Sequence, residues 1–157
     1  MSALPAGDAR VEVRRATEVD LPRILAIEAA SYDHPWSEGN FADSLKAGYG
    51  VWMREADGEL TAYYVVMIGA GEAHLLNLTV APAWRRRGLG REMLDDCVQR
   101  AVDAGAHIVL LEVRTSNTGA IALYHQAGFA DLAVRRGYYP AAHGREDALI
   151  MSRPLPC

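Results

Sequence analysis

The chain has 157 residues, half of them hydrophobic and 23% charged, with a net charge of −4. That length makes one domain with room for an apolar core that needs no metal or disulfide, and the acidic balance excludes a general nucleic-acid binder while suiting a basic partner. The two cysteines, Cys97 in a predicted helix and Cys157 at the end, make neither a disulfide framework nor a metal-ligand cluster, so a reducing cytoplasm and no metal are expected.

Residues 1–10 hold no apolar signal-peptide core, and the longest apolar stretch, residues 62–68, is too short to cross a bilayer, so no membrane association is expected. Residues 11–14 alternate as a strand. Thr17, with Glu18 and Asp20 in the next turn, caps a helix whose Leu21, Ile24, Leu25 and Glu28 follow helical spacing to about Ala30. Tyr32-Asp33-His34-Pro35-Trp36 breaks it, and Ser37 caps a second helix through Phe41 and Leu45. Residues 49–55 and 60–68 read as strands joined through the hairpin dipeptide Asp57-Gly58, and residues 72–80 add a third. From Leu89, apolar residues at helical spacing run to a stop at Gly105. A strand over 107–113, a helix capped by Asn117 and stopped at Gly128, and strands over 129–134 and 148–152 complete the chain. The last two are expected to be separated by a loop carrying Tyr138-Tyr139-Pro140 and Gly144.

The most informative segment is the third strand of the meander followed by Arg85-Arg86-Arg87-Gly88-Leu89-Gly90-Arg91 and a helix. Glycines at 88 and 90 permit close backbone approach, and the helix start offers unsatisfied N–H groups and the positive end of its dipole, the means by which a backbone holds a pyrophosphate. The lysine of a P-loop is missing, and Met93 occupies the last glycine position of a dinucleotide fingerprint. The alternative is a solvated basic turn.

The spacing Arg-x-x-Gly-x-Gly after such a strand resembles the acetyl-coenzyme-A signature of the GCN5-related N-acetyltransferases, and the element order is similar to theirs from residue 10 onward. The resemblance implies an α/β fold of one domain over residues 10–157, a mixed sheet of about six to seven strands flanked by about four helices, and a flexible N-terminus over residues 1–9. Four segments narrow it: Pro35-Trp36-Ser37-Glu38, Leu76-Asn77-Leu78-Thr79-Val80, Leu111-Glu112-Val113-Arg114-Thr115-Ser116-Asn117, and Gly137-Tyr138-Tyr139-Pro140 with Gly144-Arg145-Glu146-Asp147-Ala148. Together they resemble the bacterial RimI-type enzymes that acetylate the N-terminal alanine of a small-subunit ribosomal protein.

On that resemblance Glu112 is the general base and Tyr124 the proton donor to the coenzyme thiolate. Leu78, Thr79 and Val80 pair their backbone with the pantetheine arm, residues 85–91 take the pyrophosphate, and Asn117 contacts the coenzyme. Tyr32, Trp36, Tyr138 and Tyr139 flank the acceptor amine, and Glu38 anchors a basic peptide. Each role has a structural alternative: an ion pair of Glu112 with an arginine such as Arg114, core packing for Tyr124, sheet pairing for the strand and helix capping for Asn117. His74 and His107 read as structural residues in strands. The resulting expectation is acetyl transfer from acetyl-CoA to a protein α-amine without a covalent enzyme intermediate. A broader N-terminal or lysine acetyltransferase, and a coenzyme-binding module that docks on another protein, stay open.

Overall fold

A computed structural model describes residues 10–156; the expected flexible segment 1–9 and Cys157 lie outside the described residues. The strands are β1 (Val11–Arg15), β2 (Gly50–Ala56), β3 (Glu59–Gly69), β4 (Glu72–Val80), β5 (Ile108–Arg114), β6 (Ala130–Ala141) and β7 (Gly144–Pro154), and the helices are α1 (Leu21–Ser31), α2 (Glu38–Lys46), α3 (Leu89–Asp103) and α4 (Thr118–Gln126). The strands form one sheet in the order β1-β2-β3-β4-β5-β7-β6. Every neighbouring pair is antiparallel except β4 with β5, whose connection passes through α3.

Local chemistry sets the boundaries. Ser37 accepts from the Asn40 N–H at the start of α2, and Asn117 Oδ1 accepts from the Ala120 N–H at the start of α4. Asp57 and Gly58, at φ 52° and 84°, form the two-residue turn between β2 and β3. His107 lies just ahead of β5, whereas His74 is in β4 beside Glu72, 3.0 Å away.

Strand alternation sorts the core into two layers. Ala62, Tyr64 and Val66 of β3 join Val109, Leu111 and Val113 of β5 under α3 and α4, where Met93, Leu94, Cys97 and Tyr124 complete the packing. Tyr63 and Val65 turn to the other face and meet Ile24 of α1 and Phe41 of α2. Burial pushes the Cys97 thiol up to about 12, which leaves it an inert core residue.

One expectation is corrected. Tyr138 and Tyr139 do not sit in a loop: β6 and β7 run on as a long hairpin whose turn is only Ala142 and His143, between paired Ala141 and Gly144. A bulge between Arg135 and Tyr139 contains Gly137 at φ 58°. Turn-type residues over 137–144 read as a loop because side chains distant in the chain restore strand pairing. Arg145 donates to the carbonyls of Gly137 and Tyr138 at 2.6 and 2.9 Å, and Asp147 accepts from the Gly137 N–H at 2.9 Å.

At the opposite edge, buried Asp20 accepts from Arg14, Arg23 and the Thr17 N–H, while Glu55 accepts from both arginines, so β1, β2 and the entry to α1 are pinned together. Hydrogen bonding from Arg14, the largest cause, holds the Asp20 carboxyl well below the usual carboxylate range. A depressed folded-state pKa contributes stability above the unfolded value of about 3.9, and that contribution is lost as pH falls through the folded value. Asp20→Asn is therefore expected to lose about 1–3 kcal/mol at pH 7 in urea denaturation, with the gap from wild type narrowing as the pH is lowered below about 4.

Candidate active site

The parallel pairing of β4 with β5 covers only Glu72 with Ile108 through Leu75 with Leu111. At that point Val65 and Val66 of β3 face Asn77 and Leu75, which leaves Leu76 as an extra residue of β4. A bulge bends its strand, so residues 76–80 part from β5 and open a gap in the middle of the sheet. Beyond it β4 still pairs with β3, and the Ala81 N–H donates to the Thr61 carbonyl. By the alternation of an antiparallel ladder, Thr79 also bonds β3 while the N–H and C=O groups of Leu78 and Val80 point into the gap. The Tyr32 hydroxyl, 3.2 Å from the Leu78 carbonyl, agrees with that assignment.

The gap opens into a cavity of about 270 Å³ lined by Glu28, Tyr32, Trp36, Leu78, Glu112, Asn117, Tyr124 and Tyr139, among others. Glu112 and Tyr124 reach it from opposite faces of the sheet. On β5, Val109, Leu111 and Val113 are buried beneath the α3/α4 layer, so Glu112 projects to the other side. Tyr124 belongs to the α3/α4 layer, with its ring centroid 5.9 Å from that of Phe129. Burial raises the Tyr124 phenol above its ordinary value, so the hydroxyl is a proton donor near neutrality.

The structural alternative for Glu112, an ion pair with an arginine, is present, but not with Arg114. Arg114 instead binds Glu146 at 3.1 Å and the Pro140 carbonyl at 2.7 Å and stacks on the Tyr139 ring, while Glu146 also accepts from the Ser116 N–H. The partner of Glu112 is Arg135 of β6, 3.4 Å away, whose guanidinium lies over the Tyr138 ring. Both groups are partly exposed and border a second groove of about 430 Å³ with Trp36, Leu76, Tyr138 and Tyr139, which continues from the cavity across the α1/α2 face. Burial, and secondarily the Glu112 charge, pushes the Tyr139 phenol up to about 12.

At the other mouth of the gap lies the basic turn. Arg86 and Gly88 take φ 63° and 77°, and Gly88 is the residue immediately before α3. A Cβ on Gly88 would meet nothing within 4 Å, so space stands open over this backbone, whereas one on Gly90 would press to 3.2 Å from Leu123. Gly90 thus serves helix packing and Gly88 the turn itself. Leu89 is buried, Arg87 stacks on Trp84, and Arg91 pairs with Asp95, while Arg85, Arg86 and Arg87 form no salt bridge among the described residues. Open space, φ-positive backbone and a helix start fit an anionic pyrophosphate.

Of the residues singled out in the sequence, Tyr32, Trp36, Leu78, Glu112, Asn117, Tyr124 and Tyr139 meet in the cavity, and Tyr138 lines the adjoining groove. Val80 continues the open strand edge, Thr79 is buried with its backbone on β3, and residues 85–91 form the basic turn. Glu38 is elsewhere, in a separate depression with Glu18 and Lys46. Sequence reasoning missed Arg135, Asn77 and Glu28. Glu28 did leave a trace: it is a carboxylate on the periodic apolar stripe of α1, and a charge on a buried stripe calls for partners.

Residues 21–129 match the family model described as the acetyltransferase (GNAT) family. The [Ribosomal protein bS18]-alanine N-acetyltransferase of Escherichia coli strain K12 is 39% identical over 136 residues, covering 87% of this chain and 92% of that protein. The crystal structure of the ribosomal-protein-S18-alanine N-acetyltransferase from Escherichia coli superposes with a TM-score of 0.89 at 36% identity, covering 94% of this chain and 96% of that one. A GNAT family acetyltransferase from Elizabethkingia anophelis, solved with acetyl-CoA bound, shares the fold at a TM-score of 0.78 and 19% identity over 92% of this chain and 98% of that one. With most of its length matched, and with a parted β4/β5 pair between a basic turn and a carboxylate, this chain belongs to the GNAT acetyltransferase family.

Proposed function

We propose that this protein transfers the acetyl group of acetyl-CoA to the N-terminal α-amine of a ribosomal protein, that of the alanine-starting bS18, with Glu112 as general base and Tyr124 as general acid. The observation that carries the reading is the placement of Glu112 and Tyr124 on opposite faces of one gap. Direct attack needs a base on the amine side and a proton donor on the thiolate side, with nothing solid between them.

The coenzyme is held by the turn at residues 85–91 and the start of α3, by the free edge at Leu78 and Val80, which flank a Thr79 bonded to β3, and by the Asn117 side chain, whose Oδ1 caps α4 while its Nδ2 remains for a ligand. Acetyl-CoA supplies the activated acyl carbon. The N–H groups of Leu78 and Val80 face the gap, where they stabilise charge developing on the acyl oxygen. Glu112 takes the amine proton. An α-amino group titrates near 7.7–8.0 against about 10.4 for lysine, so a carboxylate suffices for an N-terminus at neutral pH. The Glu112–Arg135 pair is between partly exposed groups and contributes about 0–1 kcal/mol, so an incoming ammonium displaces the guanidinium at little cost. Tyr124, kept protonated by burial, donates to the departing thiolate. The paired tyrosines of the β6–β7 hairpin and Trp36 flank the incoming chain.

The direct test is incubation with acetyl-CoA and a basic peptide beginning with alanine. Mass spectrometry should find one added acetyl group on the α-amine, and none on the same peptide with a blocked N-terminus and free lysines. Glu112→Gln should slow turnover, with part of the loss regained at higher pH as the free-amine fraction rises.

Gly88→Val combines a strained left-handed backbone with a side chain in the open space above the turn. Calorimetry should show weaker acetyl-CoA binding by the folded variant.

Tyr124→Phe keeps the buried ring and removes the hydroxyl. It is expected to lower kcat by on the order of 10²-fold with acetyl-CoA affinity nearly unchanged. An acetyl donor with a more acidic thiol should shrink that deficit, since a better leaving group needs less help.

A further inference from the structure

Glu28 is fully buried in α1, 2% exposed, and accepts hydrogen bonds from three elements: the Tyr63 hydroxyl of β3 at 2.5 Å, the Trp36 backbone N–H at 3.0 Å and Asn77 Nδ2 of β4 at 3.2 Å. None of these donors is a cation, and Glu28 forms no salt bridge among the described residues. Three neutral donors around a buried carboxylate form a high-cost arrangement, stable only when fully satisfied. The proposed mechanism gives Glu28 no role, although it lines the catalytic cavity.

What Glu28 does is set a direction. A carboxylate accepts only, so Asn77 must present Nδ2 to it and Oδ1 to Thr79. Thr79 Oγ1, 2.7 Å from Asn77 Oδ1, must then donate there, and is left as an acceptor for the Tyr32 hydroxyl at 2.7 Å. The Leu78 carbonyl, the other group beside that hydroxyl, is also an acceptor. Both hydrogen-bond partners of the Tyr32 hydroxyl are therefore acceptors of its proton, and a lone pair on its oxygen remains for the cavity. A lone pair at that place matches an N–H donor.

We propose that Tyr32 accepts a hydrogen bond from the acceptor amine, and that Glu28, acting through Asn77 and Thr79, is the positioning residue that fixes the Tyr32 hydroxyl in this orientation. The proposal rests on reading the cavity as the acceptor site. It adds a polarity to that reading: the wall opposite Glu112 discriminates in favour of N–H donors and against acceptors such as an acetylated or formylated N-terminus, which has one N–H fewer.

Glu28→Gln is isosteric and places an N–H donor among three donors, so the chain can no longer hold one direction. The test is a double-mutant cycle with Tyr32→Phe, reading steady-state KM for the alanine-starting peptide, kcat, and the melting temperature separately. In the wild-type background Glu28→Gln is expected to raise the peptide KM roughly tenfold, the loss of one hydrogen bond to a charged donor, with a smaller change in kcat. In the Tyr32→Phe background it should add nothing to KM, although any loss of melting temperature will persist. An equal rise in KM in both backgrounds overturns the proposal, since Glu28 would then act through packing or by its own charge. If Glu28→Gln does not fold, Thr79→Val, which interrupts the same chain while keeping its shape, is put through the same cycle and judged by the same criterion. A wild-type protein that acetylates only lysine side chains defeats the N-terminal reading instead, and the cycle is then run with that amine.

Discussion

Two parallel strands that pair for four residues and then separate create the site, and every functional group is placed relative to that parting. A continuous β4–β5 ladder would consume the backbone donors and acceptors of residues 76–80 and close the sheet to anything crossing it. The extra residue at Leu76 prevents this, because the bulge turns β4 away from β5 while leaving its pairing with β3 intact. A sheet edge is ordinarily a liability, open to unwanted pairing. Here it lies between the two layers of the molecule, with the α3 start near one mouth and aromatic side chains around the other.

The groove proposed for the acceptor depends on the β6–β7 hairpin, and the hairpin depends on its cations and carboxylates. Arg145 and Asp147 hold the backbone around Gly137, and Glu146 joins Arg114 and the Ser116 N–H, which ties the hairpin to the turn between β5 and α4. Glu146 is held below the usual carboxylate range chiefly by its bonding to Ser116, so it stays a charged acceptor. Tyr138 and Tyr139 are thereby fixed edge to face, 4.9 Å apart, beside Glu112. The Arg-Glu-Asp run that looked diagnostic in the sequence acts as scaffold, and the residues it fixes face the groove.

The basic turn was legible because its signals are local. A strand, a φ-positive glycine, a basic turn and a helix start follow one another in the chain, and backbone rules alone make them a candidate anion site. The order and the boundaries of the central elements were legible for the same reason, since caps and periodicity act over a few residues. The adjoining groove resisted because its contacts join residues far apart. Glu112 meets Arg135, 23 positions on, although the even spacing puts Arg114 on its own face of the strand, because Arg114 is drawn away by Glu146. The hairpin was misjudged for a related reason: glycine and proline break strands locally, and the arginine contacts that restore this one come from its partner strand.

Glu28 and Glu112 show how one residue type acquires two roles from its surroundings. Both line the cavity, yet Glu28 is enclosed and satisfied by three neutral donors, whereas Glu112 is partly exposed and faces one weakly held guanidinium. An enclosed carboxylate with all its partners in place has no vacancy for a substrate proton and is costly to disturb, so its influence passes outward only through the direction of the bonds it accepts. A half-exposed carboxylate with a loosely paired cation is already desolvated on one side and gives up little when an ammonium takes the cation's place. On the proposed reading, base chemistry therefore falls to Glu112 rather than to Glu28. In the proposed reaction the buried carboxylate organises the wall opposite, and the amine would lose its proton between the two charges.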